Sequence, residues 1–407
     1  MIALLVLAAA AAPITEDDAV RLALERSGAV IAAERTAARD AARRAIELKP
    51  LELRLEHQAV DGLLSPRADN NGVSYGPLDD TTASLGWGPP SLVDLVDRFA
   101  DDRLAEADRA DIAAARRALA VEVRGLFVRA LSLRAERALG LRALDAAGRL
   151  EASAHARVQA EAAPLLDERL AGLERLEAAA DLADLEAELA RVEGRLQSLT
   201  SADAEPALVE GSSRCKAGDS PAAALARALE RSPRLRGLSA RLQGARAEAG
   251  AAWVGWVPWI DRVQLGYANE PTTKRDALRA RIDFALPLFS PLSARAQEAA
   301  LDVARLEALY ADEERAVAAD VRAAHERMAG AERLVLLYQA ASVGLIDASV
   351  TVVESELSAG QTDVLRVAEV QAKAIAAQRG LLRAKLRCEE AAIDVLRLTD
   401  DVVPGER

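Results

Sequence analysis

Between Pro291 and Pro404 the chain contains no proline, and this interval limits its fold more than any other feature. A proline inside a helix removes a hydrogen bond and clashes with the preceding turn, so such a run admits helices far longer than those of an ordinary globular domain. A seven-residue stride passes through Tyr310, Val317, Ala324, Ala331, Tyr338, Leu345 and Val352. A second line, Val321, Met328, Val335, Ser342 and Ser349, is offset from it by four. Together they make a narrow seam on one helix face, the pattern of a coiled-coil-like helix. After Gly360 the apolar pattern resumes from Val364 and Leu365 through Ile393 and Leu398. The run reads as two long antiparallel helices, about 292–358 and 361–400, with Gly360 at the turn. A mid-helix glycine costs only about 1 kcal/mol, so Gly360 alone is weak evidence, and support must come from elsewhere in the chain.

Comparing the two halves supplies it. Ala23-Leu24-Glu25-Arg26-Ser27 recurs as Ala228-Leu229-Glu230-Arg231-Ser232. Val121-Glu122-Val123-Arg124 has a counterpart in Ala319-Asp320-Val321-Arg322, and Arg195 to Thr200 in Asp394 to Thr399. Three pairs, about 200 residues apart and in the same order, indicate duplication. The expected organisation is a first repeat over 13–205, a linker over 206–218 and a second repeat over 219–403. Each repeat begins with a short helix and a longer alanine-rich one. A strand pair follows, about 51–60 and 79–88 in the first repeat, about 259–269 and 277–287 in the second. Leu278 to Leu286 alternates apolar with other residues over nine positions, whereas Asp61–Asp80 and Glu270–Asp276 read as polar connections bearing glycine or proline. Proline clusters then give way to long helices, about 91–163 and 164–200 in the first repeat. Ser91 to Ala163, unbroken, would reach roughly 100 Å.

Alanine, leucine, glutamate and arginine dominate, and aromatics make up 3% of the chain, a composition of long helices. A net charge of −12 with no basic stripe argues against a nucleic-acid partner. Cys215 and Cys388 show no metal-type spacing and read as two incidental thiols. A signal peptide is expected over 1–12, from the apolar run Met1–Leu7 and the small residues Ala8–Ala12. No later stretch approaches the ~20 apolar residues of a transmembrane helix, so any membrane crossing must use strands. Four strands cannot close a barrel, and lipid does not tolerate open strand edges. Either the strands form a small water-exposed sheet or several chains pool them into one barrel. Trp253, Trp256 and Trp259 precede the third strand, where they suit a membrane interface or an aromatic cluster at the helix-to-strand junction.

The duplicated order of short helix, long helix, strand pair, very long helix and returning helix resembles the TolC-type outer membrane efflux protein family. So do Ala19 to Ser27, Leu286-Pro287-Leu288-Phe289-Ser290, and above all Ala359-Gly360-Gln361-Thr362-Asp363-Val364-Leu365-Arg366-Val367-Ala368-Glu369-Val370-Gln371. The resemblance covers essentially the whole chain after the leader, and it rests on repeat order more than on any one motif. It implies a mainly α chain with a small β part. Four strands per chain would enter a trimeric twelve-stranded outer-membrane β-barrel, with a tunnel of long helices crossing the periplasm. It further implies a homotrimer that acts as a passive exit duct, docks a periplasmic adaptor and an inner-membrane pump, contacts outer-membrane lipid, and uses no cofactor, metal or catalytic group.

Three departures from the family pattern stand out. The first repeat has Ala160-Glu161-Ala162-Ala163-Pro164 where the turn glycine belongs, and Arg366 stands where members often carry an aspartate. No cysteine follows the leader, which implies a chain without the N-terminal lipid anchor of some members. Gly360, Gln361, Thr362, Arg366 and Glu369 are the candidates for the periplasmic tip. Arg366 and Glu369, three apart on one helix face, either close the entrance through inter-helix ion pairs or form a solvated pair. Other constellations are weaker. Gly72-Val73-Ser74-Tyr75-Gly76 matches a hydrolase elbow without its strand–turn–helix setting. His57, His155 and His325 lack ligand spacing. Glu/Arg pairs such as Glu186 and Glu188 with Arg191 read as solvated faces. The alternative architectures are a soluble elongated coiled-coil scaffold and a periplasmic adaptor.

Overall fold

The computed structural model describes residues 13–46, 52–69, 72–89, 92–200, 207–208, 214–215, 220–254, 259–270, 275–285, 292–342, 345–359 and 361–399. In chain order the elements are β1 (Pro13–Ile14), α1 (Glu16–Arg26), α2 (Gly28–Ile46), β2 (Glu52–Asp69), β3 (Gly72–Trp87), α3 (Leu92–Gln159), α4 (Leu165–Thr200) and β4 (Ala207–Leu208). They continue with α5 (Pro221–Arg231), α6 (Pro233–Val254), β5 (Trp259–Glu270), β6 (Arg275–Ala285), α7 (Leu292–Ser342), α8 (Leu345–Ser358) and α9 (Val364–Thr399). The expected leader, 1–12, lies outside the described residues, as do Trp256 and Gly360. The chain divides into two compact units. One comprises Met1–Glu34, Ile112–Pro233 and Glu313–Arg407; the other comprises Arg35–Asp111 and Arg234–Asp312.

In the first unit the two repeats build their ends alike. Thr15 caps α1 in a capping box with Asp18, and the side-chain and backbone hydrogen bonds from Thr15 hold the Asp18 carboxyl below the usual carboxylate range. Ser220 caps α5, with Pro221 at a first-turn position that needs no N–H donor. Both short helices end on a serine, Ser27 or Ser232, whose N–H closes on Ala23 or Ala228. Both returning helices end on a buried threonine. Thr200 donates to the Leu196 carbonyl at 2.9 Å and Thr399 to that of Val395 at 2.8 Å. Arg26, in the last turn of α1, donates to the Thr200 carbonyl at 3.1 Å, filling an acceptor that a helix end leaves open.

Val20, Val123, Phe127 and Leu196 bury their side chains where α1 packs on α3 and α4. Each such burial is worth about 1.5–3 kcal/mol. Further along, α3 and α4 form an antiparallel hairpin. Arg195 pairs with Glu122 at 2.7 Å, Arg129 with Glu188 at 2.5 Å, Arg137 with Glu186 at 2.8 Å and Arg175 with Glu151 at 2.8 Å. The partners step down one helix as they step up the other. Glu186 and Glu188 therefore do not lie on a merely solvated face, because they also bridge the hairpin.

The second hairpin uses the seam read from the sequence, but only in part. Val317, Val321, Ala324, Met328, Ala331 and Val335 are buried, and Tyr338 packs against Ala331, Val335, Ala384 and Cys388. A Cβ on Gly380 would stand 2.7 Å from the Tyr338 ring, so at this crossing of α7 and α9 any larger residue would have to displace the ring. Further along the stride, Val352 is 53% exposed. The sequence reading gave one helix over 292–358. Within it the structure describes α7 to Ser342 and α8 from Leu345 to Ser358, and residues 343–344 lie outside the described residues.

Cys215 and Cys388 are not incidental thiols. They form a disulfide with Cα atoms 5.4 Å apart, across a sequence separation of 173 residues. A loop that long loses roughly 5 kcal/mol of unfolded-state entropy on closure in the chain-entropy model. Disulfides persist in oxidising compartments.

Candidate functional site

In the second unit β2, β3, β5 and β6 form one antiparallel sheet in that order. Its register sorts the side chains into two unlike faces. Leu53, Leu85, Leu265 and Ala280 lie in one cross-strand row, and Leu55, Ala83, Tyr267 and Leu278 in the next. Trp87, Val263 and Ile282 form a third row across three strands. This face is exposed rather than covered: Leu278 is 84% and Leu265 56% accessible. The opposite face carries Arg54, Ser84, Gly266 and Arg279 in one row, with Gly86, Gln264 and Arg281 in the next. Its central positions are small, and Gly266 is constrained because a Cβ there would lie 3.2 Å from that of Ser84. Gln264 donates to the Ser84 hydroxyl at 2.8 Å, and Arg281 to Asp283 at 2.7 Å.

A sheet in water turns its polar face out and covers its apolar face. Here the apolar face is the uncovered one. Among the described residues β2 pairs only with β3 and β6 only with β5, so each outer edge keeps unpaired ladder groups. Pairing across all four strands covers Thr81–Gly86 of β3, six residues spanning about 20 Å at strand rise. That is close to the ~25 Å apolar band of membrane barrels.

Beyond Thr81 the β2–β3 hairpin continues with two strands to the Asp69–Gly72 pair, past a register shift between Val60 and Ser65. The sequence reading took Asp61–Asp80 as a connection. Pro66 and Pro77 suggested it, but a two-stranded hairpin has free edges and this one has a bulge, where a missing N–H is tolerated. The Gly72–Gly76 motif falls inside β3, without the setting of a catalytic elbow. Trp253 lies in the last turn of α6 and Trp259 opens β5. Trp87, half exposed on the apolar face, was missed, although its parity with Leu85 signals it.

The helix turns belong to the first unit. Leu150, Ala154, Ala171, Val367 and Ala368 pack with Val353 and Leu357, so both hairpins share one cluster close to their turns. The first turn closes by a hydrogen bond from the Ala162 N–H to the Arg157 carbonyl at 2.8 Å, with Glu161 at φ 55°. The second closes by the same six-residue bond, Gln361 N–H to the Glu356 carbonyl at 2.9 Å. These are Schellman-type ends, which favour glycine in the left-handed position. Glu161 stands in that position in the first repeat, where the second repeat's sequence has Gly360. Asp363 caps α9 by accepting from the Arg366 N–H at 2.7 Å.

Gln361, Arg366 and Glu369 are exposed and Thr362 half-buried, while Val367 and Ala368 face the cluster. Glu369 pairs with Lys373 of its own helix at 2.5 Å. That hydrogen bond chiefly, with the charges of Lys373 and Arg366, holds its carboxyl below the usual range. Arg366, Glu369 and Lys373 share one outward face. Lys373 was not among the residues picked from the sequence, although its i+4 spacing from Glu369 was readable. On the first hairpin His155 lies 3.0 Å from Glu168 and 2.8 Å from Gln159. Among the described residues no group of His, Cys, Asp or Glu is arranged to hold a metal ion, and no helix is long and apolar enough to cross a membrane.

No protein-family model matches the sequence, and no curated protein matches it by sequence. Solved structures do match by fold. CusC, described with transmembrane channel formation, aligns at a TM-score of 0.78 and 14% identity over 96% of this chain and 93% of its own. The outer membrane protein VceC of Vibrio cholerae aligns at 0.76 and 15% identity, over 95% and 96%. The Campylobacter jejuni CmeC outer membrane channel aligns at 0.72 and 15% identity, over 94% and 85%. Across nearly its whole length, this chain has the fold of those three membrane proteins.

Proposed function

We propose that the chain is the outer-membrane exit duct of a tripartite efflux or type I secretion system. It acts as a passive homotrimeric channel that receives its cargo from a periplasmic adaptor and an inner-membrane pump. The observation that carries this reading is the exposed apolar face spanning all four strands of a sheet whose two outer strands are open. Lipid would cover the face, and neighbouring copies would pair β6 of one chain with β2 of the next. The two outer strands run in opposite directions, so such pairing continues the antiparallel order without interruption. Three copies give twelve strands. The small and polar residues of the other face, Ser84, Gly86, Gly266 and Gln264, then line the lumen, and Trp87 lies near one rim of the apolar band, where an indole ring favours the membrane interface.

The disulfide is consistent with a periplasmic setting for the helical unit. The turn regions around Glu161 and Gln361 are proposed as the periplasmic tip, with the Arg366–Glu369–Lys373 face at the entrance. The reading assigns no catalysed reaction. The fold likeness to CusC, VceC and CmeC supports it.

Membrane fractionation with heat-modifiable gel migration tests it. The expected result is an outer-membrane band of trimer mass that collapses to monomer on boiling. Recovery of all the protein in the soluble fraction would refute it and favour an elongated scaffold.

A further inference from the structure

The linker between the repeats is fastened to the helical unit at several points. Pro13–Ile14 pairs with Ala207–Leu208 in parallel. The Arg214 N–H donates to both carboxylate oxygens of Glu389, at 3.0 and 3.2 Å, and its guanidinium donates to Glu16 at 2.7 Å. The other oxygen of Glu16 accepts from Arg124 at 2.8 Å, and Arg124 also holds Asp17 at 2.7 Å. Beside Arg214, Cys215 is joined to Cys388 of α9. The linker thus touches α1 of the first repeat and α9 of the second through two adjacent residues. Phe127, Leu131, Val335, Leu386, Arg214 and Cys215 are among the residues bordering a cavity of about 470 Å³ in the same unit.

The parallel pairing spans two residues on each side, and the Arg214–Glu16 pair is partly solvated. Ordering a chain segment carries an entropic cost for every residue fixed. The disulfide removes most of that cost by making linker and helix one covalent ring.

We propose that Cys215–Cys388 is a redox-sensitive clasp on the linker. Oxidised, it pins Arg214 between Glu16 and Glu389 and closes one wall of the cavity; reduced, it frees the linker and opens that wall. Closing the clasp takes one proton and one electron from each thiol. The electron pair passes to the disulfide of a thiol–disulfide oxidant, which leaves as a dithiol. Opening runs in reverse. A thiolate of an added dithiol attacks Sγ of Cys215, which is half-buried, rather than that of Cys388, which is fully buried. Cys388 leaves as a thiolate and takes up a proton. The second thiol of the reductant then displaces Cys215 and completes the exchange. The proposal does not rest on the channel reading, because the bond and its neighbours are the same whatever passes through the protein.

Arg214 and Lys216 are the tryptic sites between Thr200 and Pro221 in the sequence, so trypsin reports directly on the linker. Full-length protein purified without reductant is digested before and after treatment with dithiothreitol, and thiols are counted in denaturant. The expected result is no titratable thiol before reduction and two after it. Cleavage at Arg214 or Lys216 rises roughly tenfold or more on reduction, as local opening comes to limit the rate less. Cys215→Ser should cleave at the reduced rate with or without dithiothreitol. Reducing the folded wild type keeps the test valid if the serine variant does not fold. Two free thiols in the untreated protein, or equal cleavage rates in both states, would overturn the clasp.

Discussion

Replacing Leu265 with arginine separates a lipid-facing sheet from a water-facing one. Leu265 is the middle apolar position of β5, between Val263 and Tyr267, and its row runs from Leu53 and Leu85 to Ala280. At 56% exposure it has no packed core to lose, so in water Leu265→Arg should change stability by no more than about 0.5 kcal/mol. In a bilayer the same residue lies about 7 Å along the strand from the Trp87 row, well inside the apolar band. An arginine at the midplane of a barrel costs about 2–4 kcal/mol, or roughly 6–12 kcal/mol over three copies of the chain. Gln264→Lys, one residue away on the opposite face, provides the contrast. It loses the hydrogen bond to Ser84, worth about 1 kcal/mol, and places its charge toward the proposed lumen. The assay is the urea midpoint for loss of the heat-modifiable trimer in vesicles, with assembled yield as a second readout. Leu265→Arg should lower both severely and Gln264→Lys only slightly. Equal midpoints for Leu265→Arg and wild type would refute the assignment of this face to lipid.

Three further expectations follow from the helical unit. Glu161→Gly should stabilise the protein by about 1 kcal/mol in chemical denaturation, because a left-handed non-glycine residue is strained at φ 55°; a destabilised variant would contradict this. Burial raises the Glu390 carboxyl above its ordinary range against the lowering effect of Arg129, with Asp394 adding to the rise. The folded state therefore binds the Glu390 proton more tightly than the unfolded state, and this contribution to stability falls as pH rises from the ordinary glutamate value through the raised one. Glu390→Gln should raise Tm at pH 7 and lose that advantage in acid, so a pH-independent difference would count against burial as the cause. For the proposed entrance, joint substitution Arg366→Glu and Glu369→Arg should increase channel opening in planar bilayers, and unchanged conductance would remove these residues from any gate.

How much was legible depended on whether the controlling contact was local. The alternation from Leu278 to Phe284 showed a strand because successive side chains alternate faces whatever the sheet does next. The buried seam from Val317 to Val335 was readable because helical spacing fixes which residues share a face. Signals that depended on distant partners were hidden. Nothing local to Cys215 or Cys388 says that 173 residues of intervening chain return one to the other. Glu186 and Glu188 have neighbours on their own helix with the right charge, and their cross-hairpin partners on α3 emerge only once α3 and α4 are set antiparallel. Pro66 and Pro77 argued for a loop because sequence does not say which N–H groups a hairpin edge leaves idle. Glu161 hid its turn in the opposite way. The backbone there takes a glycine conformation without a glycine to announce it.

The four-strand contribution of each chain has a consequence for pore size. If rings form by joining β6 to β2 of the next copy, strand number can change only in fours. Eight strands enclose a space that side chains just fill, so two copies would make a plug. A pore first exists at three copies, and its width is then set by how many chains meet rather than by any single lining residue. A lone chain presents half of that eight-stranded wall and encloses nothing. Loss of assembly would therefore abolish conduction outright, with no narrower channel in between.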